Sequence, residues 1–369
     1  MRFRIKLKYA VIAAVNAAAV AATLVMTAAG SSMAKAQHYN YAADSWSGHR
    51  GGYEQVSCFL AENSGFVKDS VLSVRMQLTQ QLSTASVKAE PGKMLFPDAY
   101  SAPAGKVFVT GDLTGSSQAQ VTAAGGDFFM FRSFQLLSGS YFSDSDLMHD
   151  GAVIDRTLAF RLYGSDNVAG MNLFINGQRL LIAGVIDEPA TKYERECKGE
   201  LPDIYVPYEA AASLFSGADG RPFSAVTCYE CVLPDPVEDF AYKAMNGIFS
   251  SQYEGNAVVV DNSKRFSSSI RTKTLKKLSR SGVRDDPVKL PYWENASRIV
   301  EYKLTVLYSL RRAVLIVPAA TALWLLILAA RTWKRNRNRL LRSAADRLYR
   351  LRVKIHSRFR RRKTENGQT

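Results

Sequence analysis

The stretch "GMNLFINGQRLLIAGV", residues 170–185, holds two short apolar runs hinged on Asn176-Gly177. Both central positions of a two-residue hairpin need positive φ, which Asn and Gly tolerate best, so the stretch predicts two antiparallel strands, "MNLFI" and "QRLLIAGVI". Just upstream, "DRTLAFRLYG" predicts a short helix, with Asp155 near its N-cap and Gly164 just past its end. Helix and strand signals alternate around this centre. "FVKDSVLSVRMQLTQQLSTAS" (66–86) sets Val71, Leu72, Val74, Leu78 and Leu82 at roughly helical spacing, with Asp69 placed to cap the start. "KVFVTGDL" and "AQVTAAGGDFFMF" alternate like strands broken by glycine. "DIYVPYEAAASLF", "AVTCYECVL", "VEDFAYKAMNGIFSS" and "NAVVVDN" continue the mixture, without repeats or low-complexity linkers. The fold class is therefore α+β, in two lobes.

The net charge of +15 is unevenly spread. Residues 1–9 carry four basic side chains and no acidic ones; from Arg331 to Thr369 fifteen Lys and Arg stand against Asp346 and Glu365. Removing both ends leaves residues 10–330 at two negative charges, so the basicity belongs to the termini. Each basic end abuts an apolar run. "AVIAAVNAAAVAATLVMTAA" (10–29) is uncharged for twenty residues, and at about 1.5 Å per residue it is long enough to cross a hydrocarbon layer of roughly 30 Å. It reads as a retained anchor; the alternative is a cleaved signal peptide, for which "MAKAQ" offers Ala34 and Ala36 as an A-x-A site. "AVLIVPAATALWLLILAA" (313–330) is uncharged for eighteen residues, and its Pro318 is compatible with a membrane helix. Ser297 to Leu310 reads as a helix running straight into it.

Arg331, Lys334, Arg335, Arg337 and Arg339 follow this second run, against only Arg311 and Arg312 before it. That asymmetry places the C-terminus in the cytoplasm, and the basic N-terminus agrees. The expected organisation is a cytoplasmic N-terminus (1–9), a first span (10–30), an extracytoplasmic domain with stalk segments (31–302), a stalk end and second span (303–330), and a cytoplasmic tail (331–369), in a plasma membrane protein with two spans. In the tail, Leu341, Ala344, Ala345, Leu348, Leu351, Ile355 and Phe359 recur near helical period among arginines, which suits a surface helix whose basic groups meet anionic lipid head groups. A tail that only fixes topology is the other reading. Nucleic acid is disfavoured, because the arginines lack interleaved aromatic residues that would stack bases.

All four cysteines, Cys58, Cys197, Cys228 and Cys231, fall between the two apolar runs. An oxidising compartment there favours disulfides, and of the three pairings open to four cysteines the one expected is Cys58 with Cys228 and Cys197 with Cys231. Free thiols are the second reading. A redox or zinc role for "CYEC" is the third and weakest, because His38, His49, His149 and His356 are scattered and "VLPDPV" follows Cys231 in place of a helix.

The segment "LLSGSYFSDSDLMHDGAVIDRTLAFRLYGSDNVAGMNLFINGQRLLIAGVIDEP" resembles the core of the MacB-type periplasmic domain of type VII ABC transporters. The ordered elements that carry the resemblance are Gly139 to Phe142, Ala152 to Asp155, Leu162 to Gly164, Asp166 to Gly170, Ile175 to Gly177 and Gly184 to Ile186, with Gly164, Gly170, Asn176, Gly177 and Gly184 as structural turn and packing positions. The resemblance implies an extracytoplasmic domain between spans, helical stalks, and force transmission or transport in place of covalent chemistry. The family's full permeases have four spans, the last three in an FtsX-like module, whereas one apolar run stands at this end; that departure implies a permease-like or accessory subunit working with a cytoplasmic ABC ATPase and a full permease. A membrane-tethered ligand-binding or sensing protein is the alternative.

Catalytic patterns are not found in the sequence. No G-x-x-x-x-G-K-[ST] occurs, so nucleotide hydrolysis is assigned to another chain, and no cofactor is expected. "DSDLMHD" brings Asp144, Asp146, His149 and Asp150 together, but without the EF-hand glycine and terminal Glu it reads as a solvated loop.

Overall fold

The computed structural model describes the backbone of residues 7–49, 51–88, 94–113, 115–215, 220, 223–266 and 287–365, and side chains as far as Arg337 with Lys8 excepted. The chain divides into two compact units, Ala29–Leu307 and the pair of segments Met1–Ala28 and Tyr308–Thr369.

In chain order the elements are α1 (Leu7–Lys35), a 3-10 turn (His38–Asn40), α2 (Ala42–Ser47), β1 (Tyr53–Leu60), α3 (Lys68–Thr84), β2 (Asp98–Thr110), β3 (Ser116–Gly126), α4 (Phe128–Phe131) and β4 (Leu136–Gly139). There follow β5 (Gly151–Asp155), α5 (Arg156–Tyr163), β6 (Asn172–Ile175), β7 (Gln178–Ile186), α6 (Lys192–Lys198), β8 (Asp203–Pro207), α7 (Tyr208–Leu214), β9 (Cys228–Pro234), α8 (Phe240–Gln252), β10 (Ala257–Asp261) and α9 (Tyr292–Glu365). The fold is α+β.

One ten-stranded sheet runs β10-β1-β9-β2-β3-β8-β5-β7-β4, and β6 pairs both β2 and β7. The pairs β2-β3, β3-β8, β8-β5, β5-β7, β7-β6 and β6-β2 therefore close a ring of strands, while β9, β1 and β10 extend from it as a wing. Strand β2 serves both. Asp98 to Ser101 pair with β9, Val109 and Thr110 pair with β6, and the register shift between Pro103 and Gly105 falls between the two parts. A bulge bends a strand and increases its twist, which is what a strand shared by a wing and a ring requires.

Helices α3 and α8 cover one face of the wing because their apolar residues recur at helical spacing. Val71, Val74, Leu78 and Leu82 of α3, and Ala241, Met245, Ile248 and Phe249 of α8, are buried with Val56, Leu60, Tyr229 and Cys231 of the strands. The opposite face carries Tyr39, Phe128, Phe131, Val232 and Trp293. Strand β9 is thus buried on both faces along its whole length, and the "CYEC" within it is neither a turn nor a helix start.

That placement corrects the disulfide expectation: all four cysteines are free thiols. Phe59 stands opposite Cys228 and Cys58 opposite Tyr229, so Cys58 and Cys228 project to opposite faces. Cys197 lies on α6, whose Lys198 is bonded to Asp155 of β5, and β5 is four strands from β9 in the sheet. At about 4.8 Å per strand that separation far exceeds the roughly 7 Å limit between the Cα atoms of a disulfide. Burial pushes the Cys58, Cys228 and Cys231 thiols well up.

In the other unit, α1 and α9 supply two helices long and apolar enough to cross a membrane. Asn16 Nδ2 donates to Thr321 Oγ1 at 3.3 Å, and Arg311 Nη1 to Thr27 Oγ1 at 3.1 Å. Helix α9 continues without interruption past Pro318. The side chains of Arg339, Leu341, Ala344, Ala345, Leu348, Leu351, Ile355 and Phe359 lie outside the described residues.

Candidate functional site: a buried ionic clasp

Charged and amide side chains converge on the face of the wing opposite α3 and α8. The first turns of α9 bring Glu294, Ser297, Arg298 and Glu301; the 3-10 turn after α1 brings Asn40; the strands bring Ser57 and Glu230; the turn after β10 brings Asn262 and Arg265.

Arg265 is the hub. Its guanidinium grips Glu294 bidentately, Nη1 to Oε2 at 2.6 Å and Nη2 to Oε1 at 2.7 Å, and both side chains are 3% exposed. Its Nε reaches Glu301 Oε2 at 3.3 Å, and Nη1 also reaches Asn40 Oδ1 and Asn262 Oδ1, each at 3.4 Å. Arg298 Nε donates to Glu294 Oε1 at 2.8 Å, across one helical turn. Burial would push the Glu294 carboxyl up, but Arg265 and Arg298 outweigh it and hold it below the usual carboxylate range. Burial would likewise lower Arg265, and Glu294 and Glu301 raise it. Both groups stay charged, as a fork-to-fork pair in a dry setting should.

The network continues into the sheet. Asn262 Nδ2 donates to Ser57 Oγ at 2.5 Å, Ser57 Oγ to Glu230 Oε1 at 2.6 Å, and Arg132 Nη2 to Glu230 Oε2. The Arg132 guanidinium lies 4.5 Å from the Trp293 ring centroid and 5.6 Å from that of Tyr39, so the same cation meets the root of α9 and the 3-10 turn that follows α1. These groups line a cavity of about 10 Å³, on the scale of one water. Arg132 Nε and Trp293 Nε1 are buried without a partner.

The segment after α1 is held as firmly as the start of α9. Asn40 Nδ2 donates to Ser297 Oγ at 3.0 Å, a direct bond between the two roots. Gln55, fully buried on β1, accepts from Ala42 N through Oε1 at 2.9 Å and donates through Nε2 to Tyr39 O at 2.9 Å. A side-chain amide bonded to backbone on both its atoms behaves like one more strand partner, so the segment is stitched to the sheet.

The glycines and Asn176 singled out in the sequence sit elsewhere, around the ring. Gly164 ends α5 in the left-handed region, and Asp155 Oδ1 caps its start by accepting from Leu158 N at 2.8 Å. Asn176 and Gly177 have φ of 52° and 80° and form the β6–β7 turn; Asn176 Nδ2 also donates to Leu214 O at 3.0 Å. Gly170 has φ of 87° and donates its N–H to Ile182 O. Gly184 pairs with Gly139 across β7 and β4, where an added Cβ on either would run into a neighbouring carbonyl. In the 143–150 loop, Asp144 accepts from Gly126 N at 2.7 Å and Asp146 from Ser143 N at 2.9 Å, so these two carboxylates hold backbone. Arg331, Lys334, Arg335 and Arg337 are exposed on α9. Sequence reasoning missed the clasp altogether. The available signals were Arg132 amid "FFMFRSF" and Glu230 inside the apolar "CYECVL", charges in settings where only a buried partner keeps them.

Fold and site together define a class: an α+β body clasped at the roots of two apolar helices that flank it in sequence. A model of the MacB-like periplasmic core domain matches residues 13–237. The chain belongs to that family. It is 27% identical over 158 residues to the macrolide export ATP-binding/permease protein MacB of Pasteurella multocida (strain Pm70), a match covering 42% of this chain and 23% of that protein, so the chain spans under a quarter of its relative. Among solved structures it is similar to the periplasmic region of MacB from Actinobacillus actinomycetemcomitans, at 13% identity and a TM-score of 0.40 over 63% of this chain and 95% of that one. It is also similar to the extracellular domain of the noncanonic ABC-type transporter YknZ from Gram-positive bacteria, at 13% identity and a TM-score of 0.37 over 56% and 99%.

Proposed function

We propose that the protein is a MacB/FtsX-type permease-like or accessory subunit that couples its extracytoplasmic domain to a cytoplasmic ABC ATPase and a full permease, for export or mechanotransmission. In this reading residues 10–30 and 303–330 hold the spans and stalk end, residues 31–302 lie outside the membrane, and the ends 1–9 and 331–369 are cytoplasmic. Arg331, Lys334, Arg335, Arg337 and Arg339 meet anionic lipid head groups at the inner leaflet, at about 1 kcal/mol each.

The observation that carries the reading is the clasp. Movement of a membrane helix reaches an external domain only if the helix root cannot slip, and packed elements transmit displacement because they hold discrete arrangements. Here Glu294 and Ser297, at the start of the trailing helix, are bonded to Arg265 and to Asn40, which follows the leading one. The test is co-expression with an ABC ATPase and a full permease. The expected result is co-purification, with ATP hydrolysis by the assembly altered by the wild-type chain and less so by Glu294→Gln. A chain that neither co-purifies with those subunits nor changes their activity overturns the proposal.

A further inference from the structure

Away from the clasp, two polar side chains face each other without bonding. His149, in the 143–150 loop that enters β5, has a φ of 48°, in the left-handed region that His and Asn enter more readily than most residues. Its Nδ1 lies 4.0 Å from Oε2 of Glu209, in the first turn of α7. That gap is within reach of an ion pair but too wide for a hydrogen bond. Both atoms are shielded from solvent and lack a hydrogen-bond partner among the described residues, although each side chain is 29% exposed.

The surroundings give the gap a meaning. The other oxygen of Glu209, Oε1, is bonded to Lys68 at the start of α3. One carboxylate thus holds a helix of the wing with one oxygen and turns the other toward a loop of the ring. The loop is anchored on either side of its tip: Asp144 accepts from Gly126 N at 2.7 Å and from the Tyr100 hydroxyl at 3.4 Å, and Asp150 O accepts from Leu181 N at 2.8 Å. Between these anchors Leu147 and Met148 are 94% and 80% exposed, so the tip itself packs on little. Among the described residues the charged groups facing the imidazole are Glu209 from α7 and, behind it, Lys68 from α3; Asp144, Asp146 and Asp150 belong to its own loop.

We propose that His149 and Glu209 form a pH-operated latch, which draws the 143–150 loop onto α7 when the imidazole is protonated. Histidine is the side chain whose ordinary ionisation falls between about pH 5 and 8. A neutral imidazole carries a proton on one nitrogen only, whereas imidazolium donates from both, so Nδ1 becomes an N–H aimed at an unfilled carboxylate oxygen. Closing from 4.0 Å to a charge-assisted bond of about 2.8 Å takes a movement of about an ångström, which a loop tip supplies more readily than a helix. The product is a Lys68–Glu209–His149 chain of alternating charge that joins a wing helix to a ring loop. The loop is held in acid and released as the pH rises through the histidine range. Because the pair is partly exposed, protonation shifts the ratio of held to released loop by about two- to fivefold, the worth of an ion pair at a surface.

The test is the mobility of a nitroxide spin label on Leu147→Cys in the full chain in detergent. Cys197→Ser removes the partly exposed thiol, and Cys58, Cys228 and Cys231 are buried. Spectra are recorded at pH 5 and pH 8, either side of the histidine range. The ratio of slow to fast label is expected to rise about two- to fivefold at the lower pH. His149→Asn, which suits the left-handed backbone and removes only the titrating group, is expected to abolish that rise. Glu209→Gln is expected to abolish it with the histidine intact. Both positions are partly exposed, and an unfolding curve of each variant at pH 8 establishes that it is folded. Equal mobility at the two pH values without either change overturns the proposal. So does a rise that survives in either variant, because the pH response then belongs to another group, such as the buried Asp203.

Discussion

Arg265 and Glu294 are both buried, each side chain 3% exposed, and their worth lies in being a pair. Replacing a buried ion pair wholesale by apolar groups is often neutral, because the desolvation cost of two ions disappears with their attraction. Removing one partner is different: it strands a charge in a medium that cannot solvate it, at a cost of about 3 to 5 kcal/mol. Glu294→Gln is therefore expected to destabilise the domain by about 3 to 5 kcal/mol, with Arg298 and Glu301 softening the loss because each remains in the network. The double variant Arg265→Met/Glu294→Leu is expected to cost less than the two single changes added together. Denaturant unfolding of the four proteins, read as a double-mutant cycle, checks it. Additivity within about 0.5 kcal/mol would show that the two side chains do not depend on each other.

Elements set by neighbours in sequence were legible; those set by distant partners were not. Helix α5 and the β6–β7 turn were readable from Asp155, Gly164, Asn176 and Gly177 because a cap or a turn is decided within a few residues. For α3 the apolar stripe was legible, but Asp69 lies inside the first turn and Val67 is the N-cap residue. Strand β1 escaped notice because Glu54, Gln55 and Ser57, all buried, interrupt its apolar pattern; Ser57 is satisfied by Glu230 and Asn262, far along the chain. Strand β8 was legible within "DIYVPYEAAASLF", but not the setting of its first residue, Asp203, which is buried beside Lys198, Asp155 and Glu188. Burial lifts the Asp203 carboxyl, Lys198 opposes the rise, and Asp155 and Glu188 add to it, bringing it to about 7. In the unfolded chain an Asp ionises near about 3.9. Asp203 therefore contributes stability that is fully present below about pH 4 and is lost as the pH rises through about 7. Asp203→Asn, which keeps shape and hydrogen bonding without the charge, is expected to flatten the fall in stability across that window. Unfolding free energies of wild type and variant at pH 5 and pH 8 decide it; equal slopes would mean the carboxyl titrates normally.

At the scale of the whole molecule, one sequence carries two patterns with different solvents in view: a near-neutral α+β domain, and two apolar helices with basic ends. Lys and Arg resist translocation when they lie within some 15 to 20 residues of a span, so the density of Arg331, Lys334, Arg335 and Arg337 on the last helix is the physical reason to expect that end in the cytoplasm. The burial of the thiols supplies a way to check it. Cys58, Cys228 and Cys231 are buried with their pKa values raised, so the thiolate that attacks a maleimide is scarce as well as shielded. Cys197 is only partly exposed, and changing it to Ser leaves a chain nearly silent to an impermeant maleimide. On that background Leu147→Cys, at a position 94% exposed in the α+β domain, is expected to label in intact cells. Lys334→Cys is expected to label only after the membrane is opened. Labelling of Lys334→Cys in intact cells would put the basic end outside, and with it would fall the lipid contact assigned to those arginines and any access to a cytoplasmic ATPase.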